Sequence, residues 1–272
     1  MAEGEVVPTP GALLGRAELG AGAFGELWRT AKGMRMIFDD SGTFDVIGRG
    51  REIVWYPRAG CDAELARVDM LGRVLSLSLY EQGMMPLHGS AVSLPAGAVG
   101  FLAAKGSGKS TLAMTLVSRG ARLMTDDTLA VSPSTFAARP GVHSVRLWED
   151  SAGRFASLGG SRLGLSDKRA FDALPTDALQ DATCPVAALY ELVPVPDDGG
   201  ARAKRERMTA PLATIALMRH SKLGVLLGGV DGIEVFSRCA AIAERVPMYT
   251  LFVSRDLAAV DDVADTIAGW HE

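Results

Sequence analysis

The residues best suited to chemistry lie in one stretch, residues 103–127, with the sequence AAKGSGKSTLAMTLVSRGARLMTDD. Its first eight residues fit the pattern of a phosphate-binding loop, with Ala103 in place of the first glycine. Gly106 and Gly108 permit backbone angles that turn N–H groups toward a phosphate, and the helix that follows adds its positive end. The pattern predicts a site for the phosphates of ATP, formed by Lys105, Gly106, Ser107, Gly108, Lys109, Ser110 and Thr111.

Two of these side chains have specific expected roles. Lys109 would neutralise the β- and γ-phosphates, and the Ser110 hydroxyl would hold Mg²⁺. An apolar strand, AVGFLAA, precedes the loop and a helical segment, LAMTLVSRG, follows it. This strand–loop–helix order is the context in which such a loop binds a nucleotide, whereas a Gly/Ser-rich turn alone would bind nothing.

Two aspartates, Asp126 and Asp127, come unusually soon after the loop. Only one helix and one strand, ARLMTDD, fit between Ser110 and the pair, so the aspartates should lie at the loop's edge of the sheet. On an extended chain, adjacent side chains point to opposite sides. We expect one carboxylate to hold Mg²⁺ and the other to act as general base for an incoming hydroxyl. The alternative is that one aspartate only caps the following turn.

His88 is a further catalytic candidate. It lies in PLHGSAVSL, a strand-like stretch that should run beside the strand before the loop, and Gly89 would permit close approach. The alternative is a structural histidine. Arg146 could reach a phosphate, Glu149 or Asp150 could add a metal ligand, and Lys168–Arg169 could cover the nucleotide or substrate. The favoured alternatives are solvated charges at a strand end for the first three and an exposed helix start for the last pair.

The elements that must position these residues read as α/β, because strand-like and helical segments mix along the chain. ELWRTA, MRMIFD, TFDVIG and EIVWY are predicted strands separated by glycine-containing turns, and a helical stretch ends near Gly83. We expect residues 1–20 to be loose, residues 149–181 to be helical and loop-like, and DDGGARAKRER to be a charged hairpin tip or loop. Strand, turn and helix should close the chain.

Composition excludes several classes of protein. The chain has 272 residues, 48% of them hydrophobic, so a full core can be buried. A net charge of −4 with scattered basic residues disfavours nucleic-acid binding. Three distant cysteines argue against a disulfide framework or zinc site. We expect no signal peptide and no membrane helix, and therefore a cytoplasmic protein.

The stretches LHGSAV and AKGSGKSTLAMTLVSRGARLMTDD resemble the C-terminal kinase domain of HPr kinase/phosphorylase over residues 88–131. The resemblance implies a phosphate-loop fold of the HPr kinase/phosphoenolpyruvate carboxykinase type. It implies that the early double aspartate supplies a base and a metal contact, with Asp126 favoured as base and Asp127 as metal ligand, and that His88 supports the charge state of the base. It also implies self-association as a homo-oligomer. The chain departs from that family: Thr111 follows Ser110 where glutamate is usual, and no E-x-x-GLG segment follows.

The whole layout resembles the smaller HPr-kinase-like proteins of peptide-modification clusters, through PLHGSAV, Pro140–Gly141, RLW at 146–148 and VPMY at 246–249. This resemblance implies a serine kinase acting on a peptide or small protein, such as a lasso-peptide precursor. We divide the chain into residues 1–83, a β-rich region that could bind the substrate, and residues 84–272, the kinase domain. A small-metabolite kinase and a nucleotide-dependent binding module without phosphoryl transfer are the alternatives.

Overall fold

The computed structural model describes residues 11–20, 23–158, 161–162, 168–196, 203–229, 231–254 and 256–272. The chain divides into two compact units. The first comprises Met1–Pro86 and Ser221–Cys239, and the second comprises Leu87–His220 and Ala240–Glu272. Both contain strands and helices, which confirms the predicted mixed α/β class.

The first unit contains a five-stranded antiparallel sheet whose strands follow one another in chain order. The turns permit this meander because glycines adopt positive φ where the chain reverses, as Gly48 (60°) and Gly50 (77°) do. Alternating side chains such as Leu27, Met36 and Phe44 are buried on one face. The strands are β1 (Gly11–Gly20), β2 (Ala23–Thr30), β3 (Gly33–Phe38), β4 (Gly42–Ile47) and β5 (Glu52–Pro57).

The first of these strands corrects the expectation that residues 1–20 are loose. β1 pairs with β2 from Gly11 opposite Thr30 to Gly20 opposite Ala23. Backbone hydrogen bonds therefore hold a glycine- and alanine-rich segment that its composition alone places outside a sheet. Residues 1–10 lie outside the described part of the chain.

The predicted helical stretch forms α1 (Ala63–Asp69), a π-helical turn (Met70–Val74) and α2 (Leu75–Glu81). Asp62 caps the first helix by accepting a hydrogen bond from the Glu64 amide at 2.8 Å. Gly83 adopts a φ of 85° just after α2, as expected for a glycine that ends a helix.

The second unit is built on a mixed sheet in the order β10-β9-β6-β7-β14-β16-β15, with β8 also paired to β6. β7 runs parallel to β14, and β6 runs antiparallel to both β7 and β8. The strands are β6 (Met85–Leu94), β7 (Gly97–Leu102), β8 (Arg122–Thr125), β9 (Thr128–Val131), β10 (Ala137–Arg139), β14 (Cys184–Val195), β15 (Ala203–Arg207) and β16 (Met248–Ser254).

A second, smaller sheet in this unit has the order β11-β13-β12, formed by Val145–Trp148, Lys168–Phe171 and Ser161–Arg162. We call it the small sheet. It corrects the expectation of helix and loop for residues 149–181, because Lys168–Arg169 lie on a strand rather than at a helix start. β15 likewise replaces part of the predicted charged loop, of which residues 197–202 lie outside the described part.

α3 (Lys109–Ser118) and α8 (Val260–Gly269) pack in one apolar core of this unit, which includes Val99, Phe101, Leu116, Leu251 and Ile267. The remaining helices are α4 (Glu149–Ala152) and α5 (Ala210–Arg219) in this unit, α6 (Gly224–Leu227) in the first unit, and α7 (Gly232–Arg245), which begins in the first unit and ends in the second. The 3₁₀ turns are Gly153–Leu158, Thr176–Ala178 and Leu257–Ala259. The predicted closing strand, turn and helix are confirmed as β16, the last 3₁₀ turn and α8. Within the described residues, no helix is long and apolar enough to cross a membrane.

Candidate functional site

The predicted phosphate-binding loop, which we continue to call by that name, lies between β7 and α3, in the predicted order of strand, loop and helix. Gly106 and Gly108 adopt φ angles of 84° and 87°, which a side chain would disfavour. Lys105, Gly106 and Gly108 are exposed and Ser107 is half-buried, so ligands can reach their backbone N–H groups. Thr111 is only 8% exposed and belongs to the first turn of the helix rather than to the rim of the loop.

Lys109 is folded into the loop. Its side chain is 7% exposed, and its Nζ donates to the carbonyl oxygens of Ala103 and Ala104 at 2.9 and 3.1 Å. These contacts hold a buried ammonium group at the place where the loop would receive phosphates, and they satisfy it there.

Two strands end at this edge of the sheet and two others extend past it. β7 and β8 end here, and β6 extends past their ends, with Gly89 opposite Leu102 and Ala91 opposite Thr125. The expected close approach at Gly89 is present: a Cβ there would lie 2.6 Å from the Leu102 side chain and 2.7 Å from the Phe101 carbonyl oxygen. β14 also ends beyond Glu191, which lies opposite Leu102.

Asp126 lies between two hydroxyls. Its Oδ1 accepts hydrogen bonds from the hydroxyls of Ser110, at 2.8 Å, and of Ser90. The backbone amide of Arg146 approaches Oδ2 at 3.4 Å. The structure thus joins the loop serine and the first aspartate directly, which places Asp126 rather than Asp127 beside the expected magnesium ligand.

The hydrogen bonds to the Asp126 carboxylate do not offset the cost of removing its charge from water, so its pKa is raised. Desolvation raises its pKa, and the neighbouring Asp127 adds to the rise, against the lowering effect of the hydrogen bonds from Ser90 and Ser110. A cation at these oxygens would relieve this penalty. The Ser110 hydroxyl and one carboxylate are hard oxygen donors, and Mg²⁺ in nucleotide sites is bound by one or two such groups plus phosphates and waters. The residues present therefore fit Mg²⁺, even though no cluster of three acidic, histidine or cysteine side chains occurs among the described residues.

Asp127 has different surroundings. Its Oδ1 lies 3.1 Å from Nδ1 of His88, and the two side chains are 55% and 36% exposed. A carboxylate that is open to solvent and oriented by an imidazole can take a proton from an arriving hydroxyl.

The sequence suggested that the two aspartates point to opposite sides of an extended strand, but they do not lie on one. β8 ends at Thr125, and Asp127 adopts a left-handed φ of 74°. Between β8 and β9, both of which neighbour β6, the chain bends. In this bend the Thr128 amide donates to the Asp126 carbonyl oxygen at 3.0 Å and the Thr125 hydroxyl donates to the Thr128 carbonyl oxygen at 2.9 Å. The bend, not an extended strand, separates the two carboxylates.

The small sheet supplies the cationic side of this region. Arg146 and Trp148 are exposed residues on β11, and Lys168 is the cross-strand partner of Trp148. The Lys168 Nζ lies 4.9 Å from the centre of the Trp148 ring. Arg169, by contrast, donates to Glu149 through two nitrogens at 3.1 and 2.7 Å, so the two residues form an ion pair with each other. Asp150 is exposed on α4.

Two features of this edge were missed from the sequence. Ser90 lies two residues after His88 on β6, and that spacing along a strand puts both side chains on one face. His220, which received no role, is 8% exposed, and its Nε2 lies 2.7 Å from Oε1 of Glu191. The backbone carbonyl oxygen of His220 accepts a hydrogen bond from the backbone amide of His88 at 2.7 Å. No local sequence signal links Glu191 to His220, because they are 29 residues apart.

Comparison with known proteins gives little beyond this geometry. No protein-family model matches the chain, and no curated protein matches it. Among solved structures, the chain is similar to the Hpr(Ser) kinase/phosphatase from Coxiella burnetii, with 13% sequence identity, coverage of 68% of this chain and 86% of that one, and a TM-score of 0.32. A match this distant carries no argument about the site.

Proposed function

We propose that this protein is an ATP- and Mg²⁺-dependent kinase that transfers the γ-phosphoryl group to a serine hydroxyl of a peptide or small protein. The observation that supports it most is the division of work between the two aspartates. Asp126 is hydrogen-bonded to the loop serine, Ser110, whereas Asp127 is paired with His88. Both stand at one edge of the sheet with the phosphate-binding loop.

The roles that follow reverse the assignment favoured from the sequence. Asp126 and Ser110 hold Mg²⁺, which when bound offsets phosphate charge and orients the reacting oxygens. Asp127 takes the proton from the acceptor hydroxyl, and His88 orients Asp127 through the 3.1 Å contact. Lys109 leaves its two carbonyl contacts in favour of phosphate oxygens.

The reaction balances without any further reactant. The serine oxygen forms a bond to the γ-phosphorus, the bond between that phosphorus and the β–γ bridging oxygen breaks, and ADP carries away the electron pair. The serine proton goes to Asp127. The residues act mainly by positioning and electrostatics, because phosphoryl transfer needs little covalent chemistry from the protein.

The peptide or protein acceptor, including a lasso-peptide precursor, is inferred from the resemblance of the PLHGSAV, RLW and VPMY segments to the peptide-modifying group. The first unit contains a five-stranded sheet and is the candidate for binding the peptide, since an extended peptide can pair with a sheet edge as an added strand.

The test is intact-mass spectrometry of candidate acceptors incubated with the protein, ATP and Mg²⁺. Candidates are a precursor peptide encoded beside the gene, HPr and a metabolite panel. The double variant Asp126→Asn/Asp127→Asn is the inactive control, and Asp177→Asn, at an exposed aspartate in a 3₁₀ turn, is the matched control.

A gain of one phosphoryl group on the peptide, lost only in the double variant, supports the proposal. Phosphorylation of a metabolite alone would replace the peptide with a small acceptor. ATP binding without phosphorylation of any candidate would favour a nucleotide-dependent binding module.

A further inference from the structure

The small sheet directs two cationic side chains toward the edge that carries the phosphate-binding loop. On β11, Arg146 and Trp148 are two residues apart and so share a face of the strand. Lys168 on β13 is paired with Trp148, which puts it on that face too. The Arg146 amide lies 3.4 Å from the Asp126 carboxylate, so this face adjoins the candidate site.

Lys168 is held in place without an anionic partner. Its ammonium group lies 4.9 Å from the centre of the Trp148 ring, a cation–π contact that fixes the side chain but leaves its donors unused. Burial lowers its pKa, and the nearby cations Lys105 and Arg146 lower it further, while Asp126 and Asp127 act in the opposite direction. Three cations therefore gather beside the two carboxylates.

The next residue on the strand shows what an internally satisfied cation looks like here. Arg169 points to the other face and makes a two-nitrogen contact with Glu149. Among the described residues, neither the guanidinium of Arg146 nor the ammonium group of Lys168 has a carboxylate within 4.0 Å. The Glu149 carboxylate thus neutralises Arg169, whereas Arg146 and Lys168 lie near the loop.

We propose that Arg146 and Lys168, with Lys105, form an anion subsite for the γ-phosphate of the nucleotide, an inference that rests on the proposed function. Phosphoryl transfer spreads negative charge over the three equatorial oxygens of the moving group. Lys109 and the backbone amides of the loop reach some of these oxygens, and a second set of cations would meet the others. Lys168 and Arg146 thus distinguish ATP from ADP and stabilise the transferring group.

The test is isothermal titration of ATP and of ADP, each with Mg²⁺, into the full-length parent protein and the variants Lys168→Met and Arg146→Met. Lys204→Met is the matched control, since Lys204 is an exposed lysine on β15 paired with Glu206. We expect ATP affinity to fall about tenfold or more in each site variant, from the loss of a charge-assisted contact, while ADP affinity changes less than about twofold. Lys168→Arg should restore most of the ATP affinity.

Arg146→Met keeps the test interpretable if Lys168→Met disturbs packing, because Arg146 is exposed. Equal loss of ATP and ADP affinity, or no loss of either in a parent that binds ATP, would overturn the subsite and leave the kinase proposal standing. A parent protein that binds neither nucleotide would overturn both.

Discussion

Two polar clusters in the second unit treat buried charge in opposite ways. The phosphate-loop edge, formed by Ser90, Lys109, Ser110 and Asp126, holds a carboxylate against two hydroxyls and one backbone amide. The Arg205 cluster, formed by Tyr190, Arg205, Tyr249, Trp270 and His271, holds a cation between aromatic rings, with its guanidinium 5.0 Å from the Tyr249 ring centre and 4.3 Å from that of Trp270.

The Arg205 cluster is internally satisfied. Arg205 donates to the Tyr190 hydroxyl at 2.9 Å, and that hydroxyl lies 2.8 Å from Nε2 of His271. Burial and the Arg205 charge lower the pKa of His271, which favours the neutral ring that can accept a hydrogen bond from the Tyr190 hydroxyl. The chain of contacts ties the end of α8 to β14 and β15, so we infer that this cluster stabilises the fold.

The phosphate-loop edge lacks such closure. Among the described residues, no cationic side chain lies within 4.0 Å of the Asp126 carboxylate, although burial raises its pKa. A buried acid that the protein leaves uncompensated is expected where a ligand completes the site. We therefore expect substitutions at the phosphate-loop edge to lower activity without lowering stability, and substitutions in the Arg205 cluster to lower stability without lowering activity.

The largest effect should come from Asp126→Asn. We expect phosphoryl transfer to fall about 10³-fold or more, because the metal contact is lost, while the melting temperature stays equal or rises. The sign follows from the raised pKa: above its folded pKa, the ionised Asp126 costs stability, and asparagine removes that cost while still accepting from the two serines. Activity and thermal-unfolding measurements on one preparation check this, and a marked fall in melting temperature would contradict it.

Asp127→Asn should reduce kcat by about 10²- to 10⁴-fold, the range for loss of a general base, with ATP affinity unchanged. His88→Gln should cost less, about tenfold, because it removes only the contact that orients the carboxylate. Steady-state kinetics combined with ATP titrations separate the two effects. Equal losses in ATP affinity would make Asp127 a binding residue and refute its role as base.

Arg205→Met should do the reverse of Asp126→Asn. Loss of two cation–π contacts and of the donor to Tyr190 should cost about 1–3 kcal/mol, or several degrees in melting temperature. Activity per folded molecule should remain within about twofold of the parent. A selective loss of activity with unchanged stability would break the comparison.

The smallest effect concerns pH. Since the folded pKa of His271 lies below its ordinary value, its neutral form contributes stability that is fully present above pH 6.5 and declines as the pH falls below that value. The melting temperature of the parent should therefore fall more between pH 7.5 and pH 5.5 than that of His271→Gln. Parallel pH profiles for the two proteins would show that His271 does not carry this dependence.

Sequence reasoning succeeded where the signal is local. The strand, loop, helix and strand from Gly97 to Thr125 follow from apolar runs, two glycines and a short connection. It failed for two strands that composition does not signal. β13 is a strand because it pairs with β11, 20 or more residues away. The glycine- and alanine-rich β1 is a strand because the neighbouring β2 supplies its hydrogen bonds.

The candidate site shows the same limit. Lys109, Ser110 and the two aspartates stand out by motif, but only the fold reveals that Ser90 binds Asp126 and that a left-handed residue, Asp127, turns its carboxylate to His88. The direction of the Lys168 side chain depends on the register of the small sheet, and no local sequence pattern predicts that register.

The most direct test of the divided roles is the Mg²⁺ dependence of ATP binding in the single variants Asp126→Asn and Asp127→Asn, measured by titration with and without Mg²⁺. If Asp126 holds the metal, Mg²⁺ should strengthen ATP binding to the parent and to Asp127→Asn but leave binding to Asp126→Asn unchanged. The opposite pattern, with the Mg²⁺ effect lost only in Asp127→Asn, would contradict the assignment and restore Asp126 as the base.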